Sequence, residues 1–190
     1  MQANNTEQDD PGPRLLARAR QAIGHYLGID PEPADDARLA QRGACFVTLT
    51  IDGVLRGCIG SIRPQRTLAD DVATNAVAAA SRDPRFPPLT ADEFARVRIE
   101  VSLLSSPDFI EFTDEADLLR QITPHEDGLI LFAGCRSATF LPQVWEQLPQ
   151  PEHFLAALKQ KAGLDPERPV NGMMAARFSV RKWEETSREA

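Results

Sequence analysis

The chain has 190 residues, 42% hydrophobic and 26% charged, enough for one ordinary domain or two small lobes without disulfide support. Its formal net charge of −7 repels phosphate backbones and argues against non-specific nucleic-acid binding. Three cysteines, with no C-x-x-C pair, provide neither a disulfide framework nor zinc spacing, so no metal and no cofactor is expected.

Residues 1–12 are polar and acidic and run into Pro11-Gly12-Pro13, which predicts a disordered tail before a domain over 13–190. The tail has no apolar core of the signal-peptide type, and every apolar run is shorter than the roughly 18 residues of a membrane span. The expected setting is a reducing cytoplasm, with no membrane contact.

Leu16, Ala19, Ile23 and Leu27 then recur with helical spacing. A loop follows over 28–36, with two prolines and four acids. From Ala44 the pattern alternates. Cys45, Val47, Leu49 and Ile51 share one face, while Phe46, Thr48 and Thr50 share the other. Asp52-Gly53 is a two-residue hairpin signal. A tight turn there sets Leu49 opposite Arg56 and Val47 opposite Cys58.

Thr67 followed by Asp70 marks a helix start, and Leu68, Val72, Ala76 and Ala79 form its apolar stripe. "DPRFPPL" (83–89) is a loop stiffened by three prolines. Thr90 and Glu93 make a capping box. "VRIEVSLLS" alternates from Val97, and another helix is expected near Thr113. Residues 127–149 read as strand, turn at Gly134, strand, then helix after Pro142. A helix over 151–162 stops at Gly163, and one last strand covers about 173–181. Helices and strands mix without β-α-β regularity. The expected fold is α+β, with a largely antiparallel sheet, flanking helices and a compact two-lobed single domain.

The chemistry concentrates in "LRGCIG", residues 55–60. Arg56 and Cys58 sit two apart in a strand, so both point to one face, roughly 6–7 Å apart. Gly60, next on that face, leaves an open slot, and Gly57 on the other face admits a close neighbour. A guanidinium beside a thiol favours the thiolate, which makes Cys58 a candidate nucleophile and Arg56, Gly57 and Gly60 candidate ligand-binding positions. The plain alternative is a packed cysteine and an edge arginine in a salt bridge. Arg85 in the stiff loop and Thr139 near the second hairpin are further candidates for holding an anion. The three histidines, His25, His125 and His153, have no metal spacing, and only His125 is considered as a base for Cys58.

Several segments occur in a telling order: "LRGCIG", "DPRFPPL", "EVSLLSSP" (100–107), "DGLIL" (127–131), "ATFLPQVWEQLP" (138–149) and "FLAALKQKAGL" (154–164). Together they resemble the AMMECR-domain family over about residues 14–184, in its bacterial branch, called AmmeMemoRadiSam system protein A. The resemblance implies a two-lobed α+β fold, an intracellular protein, and association with a Memo-like protein and a radical SAM protein. It implies no assigned reaction. It implies that Leu55 to Gly60 line a functional cleft. Many relatives carry His directly before the Gly of "GLIL", where this sequence has Asp127, with His125 two places earlier. Many also carry an aromatic where this chain has Pro169. Two uses therefore compete. One is a binding or docking component of that pathway, with no catalysis of its own. The other is an enzyme with Cys58 as nucleophile or redox thiol on a small anionic substrate held by Arg56.

Overall fold

The computed structural model describes residues 10–186. The expected disordered tail falls mainly on residues 1–9, which lie outside the described residues. Asp10 to Gly12, assigned to that tail by composition, are placed. Helix α1 (Gly12–Tyr26) begins at Gly12, which lies so close to the indole of Trp183 that a Cβ would overlap it.

The chain divides into two units. The first holds residues up to Leu103 plus the segment from Arg181, and the second runs from Leu104 to Val180. In the first unit, strands β2 (Cys45–Ile51) and β3 (Val54–Gly60) form the expected hairpin. Asp52 and Gly53 both adopt positive φ (51° and 78°), as the mirror-image turn that matches strand twist requires. Strand β5 (Val97–Leu104) pairs antiparallel with β2, and β10 (Val180–Glu184) adds the outer edge. The four-stranded order is β10-β5-β2-β3, so β3 is the other edge. A two-residue ladder joins β1 (Arg42–Gly43) to β4 (Arg66–Thr67).

Helix α2 (Leu68–Ser81) starts where the capping signal predicts, with the Thr67 side chain accepting from the Asp70 N–H. Its face of Leu68, Val72, Ala76 and Ala79 packs with Val47, Leu49, Ile99 and Val101 of the sheet and with Leu15, Ala19 and Ile23 of α1. The short α3 (Ala91–Phe94) carries the full Thr90–Glu93 capping box.

The second unit holds a sheet of order β6-β9-β7-β8: β6 (Asp108–Ile110), β7 (Gly128–Ala133), β8 (Arg136–Phe140) and β9 (Met174–Phe178). Helices α4 (Glu115–Arg120) and α5 (Pro151–Lys161) belong to it. Its core stacks Trp145 on Phe154 with ring centroids 3.7 Å apart, and the Trp145 Nε1–H donates to the Asp127 carbonyl at 2.7 Å. Lys159 is buried, its Nζ donating to Glu115 Oε2 at 2.6 Å and to the Pro166 carbonyl at 3.1 Å.

The α+β class and antiparallel pairing are as expected, with three corrections. Among the described residues the strands form two four-stranded sheets and a small ribbon, not one sheet. The single last strand is two strands, β9 and β10, which join different sheets on either side of Ser179. The β2–β3 register also shifts. Thr50 pairs with Leu55 but Leu49 with Gly57, so Arg56 is the extra residue of a bulge and Cys58 lies opposite Thr48, not Val47. No helix of the described residues is long and apolar enough to cross a membrane.

Candidate functional site

Strand β3 is an edge strand, so the outward N–H and C=O of Cys58 have no strand partner. The loop after α2 takes that place with side chains. The Cys58 N–H donates to Asp83 Oδ2 at 2.8 Å, and the Arg85 Nη2–H donates to the Cys58 carbonyl at 3.5 Å. Asp83 and Arg85 also bond to each other, at 2.9 Å (Nε–H to Oδ1) and 2.6 Å (Nη2–H to Oδ2). Together they mimic a one-residue β-partner, and a capped edge cannot recruit a stray strand. The Asp83 side chain is 2% exposed, whereas that of Arg85 is 53% exposed. Bonds from Arg85, then from the Cys58 and Arg85 backbone N–H groups, hold the Asp83 carboxyl well below the usual carboxylate range despite its burial.

Arg56 does different work. Its Nε and Nη2 hydrogens donate to the two carboxylate oxygens of Glu93 at 2.9 and 3.1 Å, and Nη2–H also reaches the Pro88 carbonyl at 3.4 Å. Only 11% of the side chain is exposed. The bulge turns Arg56 onto the stiff loop, where it ties the sheet edge to the start of α3. The Phe86 ring sits within cation–π range of both guanidiniums, 5.9 Å from Arg56 and 5.5 Å from Arg85.

Cys58 is half-buried, and Thr48 Oγ1–H donates to its Sγ at 3.3 Å. The guanidinium that bonds Cys58 is Arg85, through the backbone carbonyl, and not the expected Arg56. The Arg85 pKa is raised, chiefly by its bond to Asp83 and in smaller part by attraction to the Cys58 sulfur. Gly57 behaves as expected, because a Cβ there would overlap the Ala79 carbonyl of α2. Gly60 corrects the reading of an open slot: the Phe46 ring lies where its side chain would be. The glycine makes room for that phenyl ring. Thr139 is in the second unit, buried on β8, with Oγ1 lacking a hydrogen-bond partner among the described residues. His125 also lies in that unit, at positive φ (68°) with its ring centroid 6.5 Å from that of Trp145.

The capping Glu93 was visible in the sequence as a helix start; its second role as counter-ion of Arg56 was not. Its carboxyl is held down at about 2, mainly by Arg56 and then by the Thr90 N–H. A carboxyl depressed on folding stabilises above its unfolded value of 4.5, and that contribution disappears as pH falls to about 2. The stability difference between the native chain and Glu93→Gln is therefore expected to be full near neutrality and to shrink below pH about 4.5. Urea titrations at stepped pH check this. A difference independent of pH would mean that Glu93 holds Arg56 without its charge.

A second cluster lies behind the same hairpin. Asp71 Oδ2 accepts from the Cys45 N–H (3.0 Å), Ser61 Oγ–H (2.6 Å) and Asn75 Nδ2–H (3.0 Å), with the Cys45 thiol at 3.3 Å. Arg66 Nη2 stands 3.2 Å from Oδ1 as an ion pair, without the alignment of a hydrogen bond. Burial, then the Asp71 charge, pushes the Cys45 thiol up, so it stays protonated and inert. Among the described residues, no group of three or more His, Cys, Asp or Glu is placed to hold a metal ion.

The chain is thus an α+β protein of two units, with the edge strand of the first capped by side chains of Asp83 and Arg85. The AMMECR1 family model matches residues 16–183, and the chain belongs to that family. It is similar to Protein MJ0810 of Methanocaldococcus jannaschii, 36% identical over 187 residues and covering 93% of this chain and 90% of that one. Protein MK0488 of Methanopyrus kandleri is 36% identical over 170 residues, covering 83% and 80%. The crystal structure of uncharacterized protein PH0010 from Pyrococcus horikoshii superposes with a TM-score of 0.75 at 36% identity, over 92% of this chain and 91% of that one.

Proposed function

We propose that this protein is a binding or docking component rather than a self-sufficient enzyme, and that it receives a small anion at the Cys58 edge through Arg85. One observation carries the reading. Of the two guanidiniums flanking Phe86, Arg56 is 11% exposed and its Nε–Nη2 fork is taken by Glu93, while Arg85 leaves half its surface to solvent at the edge that carries the half-buried Cys58. A planar guanidinium anchored on one side by Asp83 is preorganised to take a carboxylate or phosphate on the other. The neighbouring carboxylate, Asp83, is locked as an anion by its own bonds and is poorly suited to accept a proton, so the thiol lacks a base within its own edge.

Membership of a pathway with a Memo-like protein and a radical SAM protein, as the bacterial system protein A, rests on the motif resemblance. A cytoplasmic setting fits the three unpaired cysteines. The enzyme reading keeps Cys58 as nucleophile on an anion held by Arg85; a partner would then have to supply the base.

Thiol labelling tests the proposal. In the folded chain a small alkylating reagent is expected to modify exposed Cys135 and half-buried Cys58 and to spare buried Cys45. Citrate or inorganic phosphate should slow labelling at Cys58 and not at Cys135, and Arg85→Ala should remove that protection. Equal protection in Arg85→Ala, or none in the native chain, overturns the proposal. Co-purification from the native host at natural expression tests the docking arm, with repeated absence of both partners counting against it.

A further inference from the structure

At the edge of the same sheet opposite to Cys58, a cavity of about 800 Å³ opens between the start of α1, residues 38–41 and β10. Arg14, Arg38, Arg181, Gln41 and Leu103 line it, and Asp10 is its one carboxylate. Three guanidiniums gathered around one cavity stand out in a chain of net charge −7. Arg38 is exposed and forms no ion pair among the described residues. Arg14 reaches out to Asp36 Oδ2 at 3.3 Å.

The Asp10 carboxylate is already treated there as a bound anion. Oδ1 accepts from Arg181 Nη2–H at 3.3 Å and from the Gly12 N–H at 3.4 Å, and Oδ2 accepts from the Trp183 Nε1–H at 3.2 Å. Helix α1 needs such an anion. It has no side-chain cap and no acidic residue in its first turn, and it carries Arg14 there instead. The carboxylate fills only a corner of a cavity whose size suits a small organic molecule.

We propose that this cavity binds a small phosphorylated metabolite. Its phosphate takes the place of the Asp10 carboxylate, with Arg38 and Arg181 as the binding forks and Asp10 as a built-in competitor. A phosphate dianion suits the set better than a carboxylate, because its three terminal oxygens can take the Arg181 Nη2–H, the Gly12 N–H and the Trp183 Nε1–H that now hold Asp10, while Arg38 adds its charge from the lining of the same cavity. The overall negative charge excludes long polyanions and leaves short phosphates as the ligands.

Calorimetry with inorganic pyrophosphate on the full chain tests this at low and moderate salt. Binding is expected in the native chain, weakened about tenfold in Arg38→Ala and strengthened severalfold in Asp10→Asn, since one substitution removes a fork and the other a competitor. Arg38 is exposed, so its variant should melt with the native chain and the comparison stays interpretable. No heat in either the native chain or Asp10→Asn overturns the proposal. So does a change of less than about twofold in Arg38→Ala, or weaker binding in Asp10→Asn.

Discussion

Gly57→Val is expected to cost this protein more than about 3 kcal/mol and to loosen the Cys58 edge, because there is nowhere for a side chain to go. Strand β3 and helix α2 touch backbone to backbone at this point, and a Cβ at Gly57 would overlap the Ala79 carbonyl oxygen. A carbonyl inside a helix cannot swing away as a side chain can. Either α2 lifts off the sheet, opening the packing of Val72, Ala76 and Ala79, or β3 moves and takes Cys58 away from Asp83. Gly60 provides the control. There the obstacle is a side chain rather than backbone: the added Cβ would overlap Phe46 Cγ, a clash that a χ1 change of Phe46 relieves, so Gly60→Ala should cost less than Gly57→Ala. Urea unfolding followed by far-ultraviolet circular dichroism, with Cys58 labelling in parallel, measures both. Equal, small losses at the two glycines would mean that the close approach of α2 is not what holds the edge.

Asp71→Ala should be the comparable loss on the other side of the hairpin. The carboxylate is 1% exposed and joins three segments at once: the first residue of β2 through the Cys45 N–H, the exit from β3 through Ser61, and α2 through Asn75. Removing it leaves the Cys45 N–H without its partner in the interior and the Asn75 amide with only the Cys45 carbonyl and a long contact to the Cys45 sulfur. Unsatisfied buried donors cost about 1–3 kcal/mol each, so a total of about 2–5 kcal/mol is expected. Asp71→Asn should cost less, because an amide oxygen in the Oδ2 position still accepts from all three. What it forfeits is the ion pair to Arg66, whose side chain is partly exposed and worth little. Cys45 reports the outcome independently: it should become open to thiol reagents in the alanine variant and stay protected in the asparagine variant. Alanine and asparagine behaving alike would show that the charge, not the hydrogen-bond count, is what matters at Asp71.

Much of the local structure was legible along the chain. Asp52-Gly53 announced its turn because two successive residues with positive φ favour Asp and Gly. Thr67 and Thr90 announced their helices because a hydroxyl that accepts from a first-turn N–H is a local event. The alternation of β2 and β5 was readable because one face of each strand is buried against α1 and α2. Gly57 was readable as a place of close approach because a glycine within a strand has few other uses.

The site itself depended on what the sequence does not order. Spacing placed Arg56 beside Cys58, but a bulge at Arg56 breaks the two-residue period, and nothing in the strand signals it. Arg56 is then claimed by Glu93, which lies 37 residues away in sequence and 2.9 Å away in space. The bond to Cys58 is made instead by Arg85, which a proline-stiffened loop brings to the unpaired backbone of the β3 edge. Gly60 shows the same limit. A missing side chain reads as empty space until the opposite strand contributes Phe46 to fill it. The chain alone determined the elements, their caps and the residues able to carry charge or react. Tertiary structure decided which charges meet, because pairing and neutralisation depend on a few ångströms of separation that only the packing of distant segments sets.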